Sequence, residues 1–120
     1  MSPKNFTDLV VWKKSARISD IICRITAERA RPEDMGLIAD MCDSALAVQS
    51  AITQAHCGRP AASRKSLAVA RGKVARLESL CEIAERVNFV PAGTLATVRA
   101  EMRELYLMLT RMRERIREQS

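Results

Sequence analysis

The chain has 120 residues, 48% apolar and 28% charged, enough to fold around one core and too apolar for a disordered segment. Twenty Lys and Arg against 14 Asp and Glu leave a net charge of +6, which favours an anionic partner and says nothing about fold. Cys23, Cys42, Cys57 and Cys81 form no CxxC pair and His56 stands alone, so neither a zinc site nor any other metal or cofactor is expected.

Thr7 or Asp8 can cap a first helix over about 7–30, which the Arg31-Pro32 step ends. Leu9, Trp12, Ala16, Ser19, Cys23 and Thr26 keep helical spacing, and Val11, Ser15, Ile18, Ile22 and Ile25 widen the face. Pro32, Glu33 and Asp34 suit the first turn of a second helix, about 33–57, with Gly58 at its C′ position. Ile38, Met41, Ala45, Val48, Ile52 and Ala55 form its core row. From Ser44 to Cys57 that helix carries no Lys, Arg, Asp or Glu, so it is expected to be covered on more than one side. The alternatives are a subunit interface through Ser44, Ala47, Ala51 and Gln54, or a helix sunk in its own bundle.

Ser63 can cap a third helix over about 63–88, with Asn88 acceptable at its end. Leu67, Ala70, Val74, Leu77, Cys81 and Ala84 are its core row. Thr94 opens a fourth helix, about 94–118, in which Leu95, Val98, Met102, Leu105, Leu109, Met112 and Ile116 hold the strongest periodic signal of the chain. Four long helices on short connections predict one all-α domain over 1–120, an antiparallel up-down-up-down four-helix bundle. No secretory leader and no stretch of the ~20 apolar residues of a membrane span is read, so a cytoplasmic protein with no membrane partner is expected.

The charge is unevenly placed. Residues 44–77 contain no Asp or Glu, and their second half carries Arg59, Arg64, Lys65, Arg71, Lys73 and Arg76, six cations that equal the whole net charge. On the third helix these residues point away from the core row and crowd the positive end of the helix dipole, an arrangement that stability alone disfavours. Such a block suits a phosphate backbone, RNA or DNA. The other reading is a solvated helix face. The tail Arg111–Glu118 is read first as a solvated helix end and second as an auxiliary phosphate contact.

Phe6-x-Asp8-Leu9-x-Val11-Trp12-x-Lys14-x-Ala16, then Gly36-Leu37, then Leu67-x-Val69-Ala70-x-Gly72 followed by Leu77-Glu78, resemble the four-helix-bundle proteins encoded in 23S rRNA intervening sequences. That family is similar in turn to the accessory variability protein of diversity-generating retroelements. The resemblance implies a homo-oligomeric, pentameric barrel that binds nucleic acid and partners a reverse transcriptase. Cys42-Asp43 stands where the family usually has Arg-Arg, and Arg76 replaces the acid before Leu77-Glu78, so the cations sit on helix 3 instead of helix 2.

Catalysis is not expected. One histidine, no carboxylate pair on an apolar face and no phosphate-cradling glycine loop leave little chemistry, and adjacent His56 and Cys57 diverge by about 100° on a helix. The expectation is a non-catalytic basic oligomer that binds nucleic acid, RNA favoured, through phosphates. The alternative is a protein–protein adaptor or a structural protein without nucleic-acid binding.

Overall fold

The computed structural model describes residues 6–119. Among them are four α-helices and no strand: α1 (Phe6–Glu28), α2 (Met35–Cys57), α3 (Pro60–Arg86) and α4 (Ala96–Gln119), with a 3-10 turn at Pro32–Asp34 leading into α2. α1 packs against α2 and α4, and α3 packs against the same two helices, giving a rod of 47 × 21 × 19 Å.

The core rows of α2, α3 and α4 are buried as their spacing predicts, apart from half-buried Ile38 and Ile116. Leu67, Leu77, Leu105 and Leu109 are at most 1% exposed, each worth roughly 1.5–3 kcal/mol of burial. In α1 the centre of the buried face is Val11, Ser15, Ile18 and Ile22, while Leu9, Trp12, Ala16 and Cys23 flank it half-buried. The polar members of this face are satisfied locally: Ser15 Oγ donates to the Trp12 carbonyl at 2.7 Å and Ser19 Oγ to that of Ala45 at 3.2 Å. Thr26 Oγ1 donates to Ile22 O at 2.9 Å.

Several helix ends differ from expectation. α1 already runs from Phe6, so Thr7 and Asp8 lie within it and neither is its cap. α3 begins at Pro60, whose fixed φ and missing N–H suit a first helical position, so Ser63 lies inside the helix and is not its cap. Ser63 Oγ instead donates to the carbonyls of Ala55 (2.6 Å) and Gly58 (3.2 Å), closing the C-terminus of α2. Gly58 is extended (φ −94°) and not left-handed; a Cβ there would come within 3.2 Å of Ala62, so the tight α2–α3 corner is what requires glycine. α4 begins at Ala96, after a turn that includes Thr94.

The end of α3 follows its sequence signal. Asn88 takes the left-handed conformation (φ 60°), its N–H reaches Glu85 O and the Phe89 N–H reaches Ala84 O, the two bonds of a Schellman cap. Pro32–Cys57 is long and apolar enough to cross a membrane by length and composition, which corrects the expectation that no such stretch exists. The charge-free run 44–57 raises its apolarity, and in the structure Met41, Val48 and Ile52 of this helix lie in the core between α1 and α3.

Candidate nucleic-acid interface

The six basic residues of the sequence block do not form one surface. Taking Arg64 as zero, Arg71 falls at about 340° while Lys65, Arg76 and Lys73 fall between about 100° and 180°, either side of the outward ridge of α3. The structure fixes which neighbour each side meets. Arg71 lies against α4, its guanidinium 5.1 Å from the centre of the Tyr106 ring, with Nη2 donating to Tyr106 Oη at 3.2 Å. Arg76 lies on the other flank, 3.8 Å from Asp40 of α2, in an exposed and therefore weak ion pair. Arg59 is exposed in the α2–α3 corner, Lys65 is exposed, and Arg64 and Lys73 are half-buried. Arg76 is the one member of the block held by a carboxylate among the described residues.

Pairing separates the cations of the molecule into two populations. Lys14 reaches Glu104 at 2.9 Å, Arg17 meets Glu101, Arg99 meets Glu85 at 3.2 Å and Arg103 meets Glu78 at 2.6 Å. Arg29, Arg31 and Arg86 pair with carboxylates near them in sequence. Among the described residues no ion pair involves Lys13 or Arg24 of α1, or Arg59, Arg64, Lys65, Arg71, Lys73, Arg111, Arg113 or Arg115.

The eight from Arg59 onward share one end of the rod. The contact between Arg71 and Tyr106 sets the first half of α3 beside the second half of α4, so the tail of α4 lies alongside the basic block. Residues 59–73 and 106–119 carry nine Lys or Arg against two Glu, whereas 74–105 carries four against five. The first turn of α3 adds its own positive dipole end, with no acidic residue and no side-chain cap. The tail is thus part of the basic surface. Sequence reading treated block and tail separately; the missing signal was the register of α3 on α4, which places them together.

The seam between α3 and α4 shows the change from paired to unpaired most clearly. Read along α3 at seven-residue steps, Glu85 and Glu78 are closed by Arg99 and Arg103, then Arg71 meets Tyr106. Two turns beyond the Arg71–Tyr106 contact, ~10.5 Å along each helix, come Arg64 on α3 and Arg113 on α4. The Nε atoms of Arg64, Arg71 and Arg113 are buried without a hydrogen-bond partner; that of Arg99 is too, but its Nη1 is held by Glu85.

In α2 the row Ser44, Ala47, Ala51 and Gln54 is divided. Ser44 and Ala51 are covered by the chain's own helices, at 4% and 5% exposure, while half-buried Ala47 and exposed Gln54 border exposed Leu46 and Ser50. The exposed face of α3 between Lys65 and Arg76 is Ala68, Val69, Gly72 and Ala75. A Cβ at Gly72 would meet nothing within 4 Å, so no intrachain packing demands glycine in the middle of this helix.

Other chemistry-bearing groups are scattered. His56 Nδ1 lies 3.7 Å from Asp8 Oδ2, both buried, and its Nε2 has no hydrogen-bond partner. The cysteines are free; burial pushes the Cys81 thiol up to about 12 and also raises that of Cys23, beside Cys42. Among the described residues no group of His, Cys, Asp and Glu is gathered to hold a metal.

Comparison with known proteins supplies fold and family. A crystal structure of a protein of unknown function from the S23 ribosomal protein family of Bacteroides thetaiotaomicron superposes with a TM-score of 0.83. It covers 91% of this chain and 99% of its own at 15% identity, a likeness of fold alone. Among curated proteins nothing matches. The 23S rRNA-intervening sequence protein family matches residues 7–111, which takes in all of α2 and α3 and most of α1 and α4. The chain therefore belongs to the 23S rRNA-intervening sequence protein family.

Proposed function

We propose that this protein is a non-catalytic, cytoplasmic homo-oligomer that binds nucleic acid, RNA in preference to DNA, through its phosphates. One observation carries the reading: on α3 and α4 the cations without a carboxylate partner are gathered at one end, while those elsewhere on these two helices are paired. Cations retained only for solubility have no reason to segregate by pairing state along the rod. Among the described residues Phe89 is buried and Trp12 and Tyr106 are half-buried, so the surface suits backbone recognition more than base reading.

The subunit in this reading is an antiparallel up-down-up-down bundle. Cross-helix contacts support it, since partners run in opposite senses: Ser19 with Ala45 and Thr26 with Cys42, Glu78 with Arg103 and Glu85 with Arg99. The assembly is a pentameric barrel built through the uncharged outer face of α2 and the small-residue face of α3. A ring multiplies a modest basic end into a large field and lets weak sites act together. In a diversity-generating retroelement such a particle would hold RNA beside a reverse transcriptase.

Fluorescence anisotropy of a labelled structured RNA, titrated with protein across a salt series, tests this. Binding is expected at low salt, with a log–log slope of roughly −4 to −5 for about six neutralised phosphates per contacting subunit. No binding at low salt sinks the reading.

A further inference from the structure

We propose that Arg64 and Arg71 of α3 and Arg113 of α4 form a discrete site for one phosphoryl group, gripped between the two helices. The inference rests on the nucleic-acid reading for the source of that phosphate, and the site itself stands on geometry. Along α3, at seven-residue steps, Glu85 and Glu78 are closed by Arg99 and Arg103 of α4. The next two α3 positions are Arg71, which meets Tyr106, and Arg64, and two turns beyond Tyr106 the α4 sequence places Arg113. Past Glu78, these α3 positions therefore carry cations in place of carboxylates.

Three features make this a built site and not a general field. The guanidinium of Arg71 is held over the Tyr106 ring and bonded to its hydroxyl, which fixes its plane before any ligand arrives. The Nε atoms of Arg64, Arg71 and Arg113 are buried and unpartnered, a cost that an acceptor between the helices would remove. The nearest carboxylate of the repeat, Glu78, is already engaged by Arg103 and does not compete. Arginine at each position suits the task, because its fork donates two bonds to neighbouring phosphate oxygens where lysine offers a point charge. Charge and donors match a phosphodiester or a terminal phosphomonoester.

The test is isothermal titration calorimetry of the intact protein with inorganic pyrophosphate at fixed ionic strength, paired with the RNA titration. Saturable binding of one pyrophosphate per chain is expected. It should weaken at least tenfold in the double variant Arg64→Gln/Arg113→Gln, and by a smaller factor in Arg64→Lys/Arg113→Lys, which keeps the charge and loses the fork. The control Arg59→Gln/Lys65→Gln removes the same charge outside the seam and should change affinity less than threefold. Melting curves confirm that each variant is folded, and the lysine pair carries the test if the glutamine pair is not.

Equal losses in seam and control variants would mean a diffuse field, and the site would be discarded; so would the absence of saturable binding. RNA binding that keeps its salt slope in the seam variants overturns the site and leaves the nucleic-acid reading intact. Pyrophosphate binding at the seam without RNA binding supports the site and overturns the nucleic-acid reading.

Discussion

The two halves of the α3–α4 seam share the seven-residue spacing of α3 and differ in chemistry. In one half Glu85 accepts from Arg99 and from the Gly93 N–H at 2.9 Å, so a single carboxylate ties the inter-helix connection to both helices, and Glu78 binds Arg103 one step on. In the other half the same face offers Arg71 and Arg64 to Tyr106 and Arg113. The paired half is self-sufficient. The unpaired half gathers cations without a carboxylate, and a helix pair selected only for stability would have carried its Glu–Arg pattern to the end. The difference teaches where this bundle is made to hold itself and where it is left to hold something else.

The comparison breaks most visibly through binding. Arg64→Glu/Arg71→Glu should lower RNA affinity on the order of 100-fold at low salt and flatten the salt slope, measured by anisotropy. Glu78→Ala/Glu85→Ala, in the paired half, should leave affinity within about twofold. Equal losses from both pairs would erase the distinction between the halves. Stability should show the reverse. Glu85→Ala strands the Gly93 N–H and the Arg99 guanidinium, half of a largely covered pair, and should cost about 1–3 kcal/mol in a denaturant melt.

A smaller effect of opposite sign sharpens the contrast. Arg113→Glu would place a carboxylate in the open half, two turns beyond Tyr106, where the basic block has none. Thermal unfolding should then shift upward by roughly 3–5 °C, equivalent to about 1 kcal/mol for a chain of this size, while RNA binding falls. A lowered midpoint would mean that the open half is not under electrostatic strain.

Much of this was legible in the sequence. Three heptad-like rows located the core of α2, α3 and α4 because large apolar side chains at helical spacing have nowhere else to go. Helix ends were less legible. Ser63 carries the chemistry of an N-cap, but Pro60 starts the helix one turn earlier and the hydroxyl serves α2 instead. In α1 the choice between two apolar rows depended on where α2 and α4 would sit, and serines bonded to carbonyls turned out to centre the buried face. The basic block was visible as a run of charge. Its division into an α4 flank and an α2 flank, the pairing of Arg76 with Asp40, and the union of Arg64 with the α4 tail are properties of helix register. Composition carries no register, so these could not be read before the helices were docked.

The smallest expected effect concerns the opposite face of α3. Gly72 occupies a helix interior where alanine would be favoured by about 0.5–1 kcal/mol, and open space surrounds it within the chain. If solvent were its only neighbour, Gly72→Ala should simply stabilise the protein by that amount. In the proposed assembly the missing Cβ lets a neighbouring subunit approach the strip of Ala68, Val69 and Ala75 closely, so the added methyl group must push it away. Gly72→Ala should then move the population toward monomer in sedimentation velocity at low micromolar concentration, while the dissociated subunit melts slightly later than the parent. An oligomer unchanged by the substitution would place the subunit contact elsewhere, and the uncharged outer face of α2 around Leu46 and Ser50 would have to carry it alone.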